Sequence, residues 1–340
     1  MTRWSTPYDI AIFAHQANSF RQYSAHAIIV GAMRRCLPYT WRDPYPEPLG
    51  GHYGVTRSLV AGLRALGTRF VYSPALNSTT ARAAIVLAGI AELRAAMEWR
   101  RRHGCGLLLA GPNVVEMPND HGGILLSPEI DRIIVPSDKV RRQYEASAPQ
   151  LAGRIWTWPA GVDEEYWKPS GSGVRDTVLI YNKHMPDLAT RTGDILRNRG
   201  VRHETISYGD RRGDKYRPRE FRAALDRARL CVFLTLNESQ GLAAAEAWSM
   251  DVPTFAFRAP GQEQIATIPY LSAATGRYWS STDELLDLVA GFSPADYQPR
   301  SWVLANMTDL VCAKAFVQLA TRSTPGGRTD HPAPAAAEMS

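Results

Sequence analysis

Short, nearly continuous apolar runs alternate along the chain with longer stretches whose apolar positions recur at helical spacing. The runs Ile10–Ala14, Arg69–Tyr72, Ala83–Ala88, Gly106–Ala110, Arg132–Val135 and Arg154–Thr157 predict strands. Between them, Val55–Leu66 and Ile90–Arg102 predict helices stopped by Gly67 and Gly104, and Ser137 predicts a cap for a helix over Asp138–Glu145. A second alternating series follows the Pro169-Ser170-Gly171-Ser172-Gly173 linker. Its strands are Thr177–Tyr181, Glu204–Tyr208, Leu230–Leu236 and Pro253–Phe257. Its helices are Leu188–Asn198, Arg219–Arg229, Leu242–Met250, Asp283–Val289 and a closing helix over Ser301–Leu319. Strands alternating with helices of this length imply parallel βαβ units, so the expected fold class is α/β with two Rossmann-like domains and a cleft between them. The expected organisation is an N-terminal domain over 1–168, a second over 169–300, a closing helix over 301–321 and a disordered tail over 322–340.

Composition narrows the setting. The 340 residues are 45% apolar and 21% charged, with a formal net charge of +6, which is too mild to imply a nucleic-acid partner. The cysteines Cys36, Cys105, Cys231 and Cys312 are scattered without a C-x-x-C pair, arguing against a disulfide scaffold or structural zinc and for a reducing compartment. The polar start MTRWSTPYD lacks the apolar core of a signal peptide, and no apolar stretch approaches membrane-spanning length. The expectation is a cytoplasmic protein. The basic helix end Trp99-Arg100-Arg101-Arg102-His103 offers peripheral contact with the inner membrane, against the plainer reading of a solvated helix end.

Candidate chemistry concentrates after the strand Leu230–Leu236, which delivers Asn237-Glu238-Ser239-Gln240-Gly241 directly onto a helix. In open parallel sheets, ligands sit beyond the carboxyl ends of strands. Glycine at 241 permits close backbone approach, and the amides of Gly241, Leu242 and Ala243 form an anion site at a helix N-terminus. A carboxylate beside that site needs a partner of its own, and sugar hydroxyls suit Glu238. Glu246, about a turn and a half into the helix, reaches a ribose diol. The plain alternative makes Glu238 a loop residue and Glu246 an exposed helix residue.

At these residues the sequence resembles the large retaining glycosyltransferase family of GT-B fold, whose hallmark is two glutamates eight positions apart around a Gly-Leu or Gly-Phe helix start. Here that segment reads ESQGLAAAEAWSMDVP, Glu238 to Pro253. PAGVDEEYWKP from Pro159, DRIIVPS from Asp131 and PYLSAATGRYW from Pro269 are similar to other family segments. The resemblance implies a nucleotide-sugar donor, UDP- or GDP-linked, as substrate, with no cofactor and no metal. It implies that Glu238 faces the reacting carbon, Glu246 holds the ribose, and Ser239, Gln240, Gly241, Leu242 and Ala243 bind the donor, with the anomeric configuration retained. The family's paired cations map onto Lys183, with Asn182 or His184 beside it; Arg191 or Arg211 would supply the second. The family's Gly-Gly loop corresponds to Gly50-Gly51, displaced far from the first strand, so that Gly51 is a donor-binding candidate. Of His15, His52 and His121, the last, in the DHGG turn, is the one taken to touch donor or acceptor. The acceptor is left open. So are another activity of the same fold, epimerase or phosphorylase, and a non-catalytic partner role. No G-x-G-x-x-G, P-loop or G-x-S-x-G motif supports dehydrogenase, NTPase or hydrolase chemistry.

Overall fold

A computed structural model of the chain describes residues 8–14, 51–72, 80–104, 106–171, 173–208, 216–262 and 265–321. Outside these lie His15, Cys36, Gly50, Cys105, Arg211, most of the charged 209–217 loop and the expected disordered tail.

The first sheet contains β1 (Tyr8–Ala14), β2 (Phe70–Tyr72), β3 (Ala81–Ala88), β4 (Leu107–Asn113), β5 (Arg132–Val135) and β6 (Ile155–Thr157), in the order β2-β1-β3-β4-β5-β6. The second contains β7 (Thr177–Lys183), β8 (His203–Tyr208), β9 (Ala228–Leu234), β10 (Thr254–Phe257) and β11 (Gly276–Trp279), in the order β11-β10-β9-β7-β8. Every strand pairing among the described residues is parallel. Sheets covered on both faces need continuous apolar strands, and β3, β5 and β9 meet that need with almost no exposed position.

The helices are α1 (Gly51–Ala65), α2 (Ile90–His103), α3 (Asp138–Ser147), α4 (Pro186–Asn198), α5 (Pro218–Arg227), α6 (Leu242–Ser249), α7 (Thr282–Ala290), α8 (Pro299–Asn306) and α9 (Asp309–Thr321). The Ser137 hydroxyl accepts from the Val140 amide and starts α3, as the sequence predicts. Gly104 ends α2 with φ 66°.

The single closing helix expected over Ser301–Leu319 is instead two. The chain breaks at Met307-Thr308, where Thr308 forms an isolated parallel bridge with Val162. That break turns α9 back onto the first lobe. Phe316 and Leu319 pack with Leu59, Leu63 and Trp158, and the Trp158 indole donates to the Cys312 carbonyl at 2.8 Å. Full burial of each such side chain is worth about 1.5–3 kcal/mol, enough to hold a terminal helix against the lobe it returns to. A Cβ on Gly62 would overlap the Asp309 backbone, so α1 and α9 meet closely only because residue 62 is glycine.

The basic end of α2 is internally neutralised. Arg100 bonds Asp131 at 2.6 Å, Arg101 bonds Glu98 and Glu129, and Arg102 bonds Glu98 at 2.7 Å. Trp99 is 0% exposed, packed edge-on against Phe13 at 5.7 Å between centroids. This matches the solvated helix end and leaves no tryptophan to meet a membrane there. No helix among the described residues is long and apolar enough to cross a membrane.

Candidate active site

Both sheets have a topological switch point, and in the second it lies between β7 and β9. Ligands in doubly wound sheets gather in the crevice beyond the strand ends at such a point. Lys183 closes β7, and Asn237 to Gly241 follow β9 closely, so the switch point brings together two segments more than fifty residues apart in sequence. Lys183 Nζ donates to both Glu238 carboxylate oxygens at 2.8 and 3.0 Å, and the Thr235 hydroxyl donates to Glu238 Oε1 at 2.9 Å. The Glu238 carboxylate thus has a cation and a hydroxyl of the protein as partners, where the sequence suggests only ligand hydroxyls. The pair is only partly withdrawn from solvent, with side chains 26% and 14% exposed for Lys183 and Glu238.

Gly241 takes φ 85° and ψ 52°, and a Cβ there would press to 3.2 Å from Ile268. Glycine therefore meets both a left-handed backbone and a tight contact. The Ala244 and Ala245 amides donate to the Gly241 carbonyl, and no side chain caps α6. The first amides of the helix point out of its N-terminus with the positive end of its dipole behind them.

These elements open onto a cleft between the lobes, with about 1170 Å³ of empty space including its solvent mouth. Glu238, Ser239, Gly241, Leu242, Ala243, Glu246 and Lys183 line it from the second lobe. Gly51, Gly54, Arg57, Pro112, Asn113 and Pro136 line it from the first. Gly51 is the opening residue of α1 rather than part of a loop. The floor behind Lys183 is aromatic. Tyr208 stands 5.7 Å from Lys183 Nζ, and Tyr181, Tyr216 and Trp167 complete the wall.

Glu246 contradicts the exposed-helix alternative. Its side chain is half-buried in the cleft wall. Burial pushes its pKa up to about 8, with Arg57 opposing the shift. Arg57, which the sequence did not single out, forms a bidentate pair with Asp309 at 2.7 and 2.9 Å and lies 3.7 Å from Asp163. It is a charged strut joining α1, α9 and the crossover between the lobes, and it also faces the cleft.

Three expected site residues, Asn182, His121 and Arg191, lie off the cleft lining, and a fourth, Gln240, lines it but has its side-chain amide engaged elsewhere. The Gln240 side chain clasps the Ala160 backbone, accepting from its amide at 3.0 Å and donating to its carbonyl at 2.7 Å, so its amide group is committed to the lobe interface. The Asn182 carbonyl oxygen accepts from the Met185 amide at 3.0 Å, and its amide nitrogen donates to Ser207 at 3.1 Å; it anchors the start of α4 and does not line the cleft. His121 is exposed on the DHGG turn with φ 51° and does not line the cleft, nor does His52. Arg191 is exposed on α4, away from the cleft lining. Among the described residues no three His, Cys, Asp or Glu side chains gather as a metal-binding group.

Two parallel-sheet lobes, each with helices on its faces, meeting across a cleft at the strand ends define the architecture. The fold is GT-B. It is shared with a glycosyltransferase from Rickettsia africae ESF-5, at TM-score 0.54 and 10% identity over 93% of this chain and 98% of that one. It is shared also with sucrose-phosphate synthase from Thermosynechococcus elongatus, at TM-score 0.50 and 13% identity over 92% and 98%. TarM aligns at TM-score 0.50 and 12% identity over 70% of this chain. The chain spans only a little over half of some larger GT-B structures, 55% of TarM and 56% of the pneumococcal O-GlcNAc transferase GtfA. No protein-family model and no curated protein matches the sequence.

Proposed function

We propose that this chain is a glycosyltransferase that takes its sugar from a nucleotide-sugar donor held on the second lobe. The observation that carries this reading is the clustering of Glu238, the open amides at the start of α6 and Glu246 along one wall of the GT-B cleft. The diphosphate would occupy the helix N-terminus, where amides and dipole balance negative charge without a metal. Glu246 would face the ribose. Glu238 would hold the transferred sugar's hydroxyls. Names of the proteins sharing the fold, including a glycosyltransferase and a sucrose-phosphate synthase, agree with this class.

Lys183 has a double task in this scheme. It neutralises Glu238. A diphosphate arriving beside it offers a second anion, and one ammonium with three N–H donors can serve both. As the bond from the anomeric carbon to the phosphate oxygen breaks, charge grows on the diphosphate, and Lys183 and the α6 amides stabilise it where it develops. The acceptor hydroxyl forms the new bond from the same face, its proton passing to the departing phosphate oxygen, so configuration is retained. His121 has no part in this scheme, since it lies outside the cleft lining.

The test is product analysis. Incubation with a bound nucleotide sugar and a panel of hydroxyl acceptors should release nucleoside diphosphate and a glycoside of unchanged anomeric configuration by NMR, and Glu238→Gln should lose that release. Interconversion of one nucleotide sugar into another without release would replace the transferase with an epimerase.

A further inference from the structure

The segment that carries Glu238 belongs structurally to both lobes. Lys139, in the first turn of α3, is buried, and its ammonium lies among second-lobe acceptors. It donates to the Asn237 side-chain oxygen, to the Glu238 carbonyl at 3.2 Å and to the Ala266 carbonyl at 2.9 Å. Three N–H groups thus meet three acceptors, none of them from its own lobe. Burial pulls the Lys139 pKa down, and the Glu238 carboxylate opposes that pull.

Neighbouring bonds repeat the pattern. The Ser137 hydroxyl that caps α3 donates to the Ser239 carbonyl at 2.6 Å. Gln240 clasps Ala160. The Tyr270 hydroxyl donates to the Pro136 carbonyl at 2.7 Å. Each of the four residues from Asn237 to Gln240 is therefore bonded to the first lobe, immediately before the glycine that starts α6. Within the second lobe, the Glu238 amide donates to Thr267, and the side chain is held by Lys183 and Thr235.

We propose that Lys139, seconded by Ser137, is a positioning residue that fixes the 237–240 segment in its ligand-binding geometry, so that separation of the lobes disables the site by releasing this segment. The inference deepens the nucleotide-sugar reading and rests on it for the identity of the ligand. Neither Lys139 nor Ser137 lines the cleft, so both act through the backbone they hold. Losing the ammonium takes from three second-lobe acceptors the one donor that ties them to the first lobe. The segment then samples geometries in which Glu238 and the α6 amides no longer converge. Apparent affinity falls in proportion to the fraction of molecules still competent, so a segment in place about one-tenth of the time raises Kd about tenfold.

The experiment compares the full chain with Lys139→Met and Lys139→Arg. UDP and GDP affinity are read by calorimetry, and amide exchange by mass spectrometry. Lys139→Met should raise the Kd of whichever nucleotide the wild type binds about tenfold and speed exchange over 237–245, with exchange in β1, β3 and β4 unchanged. Lys139→Arg, which keeps donors at the position, should recover part of both effects. Wild-type affinity together with wild-type exchange in Lys139→Met overturns the proposal, as does weaker binding without faster exchange over 237–245. Should Lys139→Met fail to fold, Ser137→Ala carries the same two readouts. If the wild type binds neither nucleotide, the donor reading fails, and the positioning role stands or falls on the exchange difference alone.

Discussion

Glu246 gives the most quantitative expectation. In an unfolded chain its carboxyl ionises near 4.5, whereas in the folded protein burial moves it to about 8. Between those values the folded protein keeps a proton that the unfolded chain has released. Stability must therefore fall as pH rises through this window and level off above about 8. Each tenfold change in proton affinity is worth about 1.4 kcal/mol, so the full interval sets a ceiling of about 5 kcal/mol. Because the side chain is partly accessible at the cleft wall, solvent entry on ionisation would reduce the effect to about 3 kcal/mol. Glu246→Gln replaces the neutral acid with a neutral amide of the same shape. Urea denaturation of both proteins between about pH 5 and pH 9 should show the variant gaining stability relative to wild type as pH rises, by about 3–5 kcal/mol in total. A constant difference across that range would refute the claim that partial burial holds Glu246 protonated at neutral pH. A difference of the opposite sign would show a carboxylate stabilised by Arg57 instead.

Lys183→Met leaves the Glu238 carboxylate without its cation, and is expected to weaken nucleotide-sugar binding about tenfold or more by calorimetry, with Glu238→Gln in the same background restoring fold stability but not binding. Gln240→Ala strips both partners from the Ala160 backbone and should cost about 2–4 kcal/mol in urea denaturation, a loss expected of an interface clasp and not of an exposed ligand contact. Gly161→Ala drives a Cβ to 2.6 Å from the Asp309 backbone, and should lower stability by about 1–3 kcal/mol or more, with exchange of α9 amides rising first. His121→Ala should leave nucleotide-sugar affinity unchanged in the same calorimetric assay, since the turn lies off the cleft lining.

The sequence was most legible where local pattern and burial agree. β3, β5 and β9 are buried on both faces, and a continuous apolar run is the direct consequence. Ser137 and Gly241 announce helix starts through short-range bonding that any reader of the chain can anticipate. What stayed hidden depends on partners distant in sequence. Gln240 and Asn182 look like polar residues at strand ends, the usual place for ligand contacts. Their roles are set by Ala160, eighty residues away, and by the start of α4. Arg57 resembles an ordinary helix arginine until Asp309 arrives from 252 residues on. The break at Met307-Thr308 has no glycine or proline to mark it, because a bridge to Val162 makes it. Lys139 reads as a solvent-facing residue of a polar helix, and only the packing of the second lobe encloses it.

The central claim is that the cleft between the lobes receives a nucleotide sugar. Calorimetric titration of the full chain with a panel of UDP- and GDP-sugars, repeated with Glu238→Gln, tests it most directly. The account predicts that at least one donor binds at submillimolar concentration and that the substitution weakens it. Failure of every donor to bind the wild-type chain at millimolar concentration would contradict it.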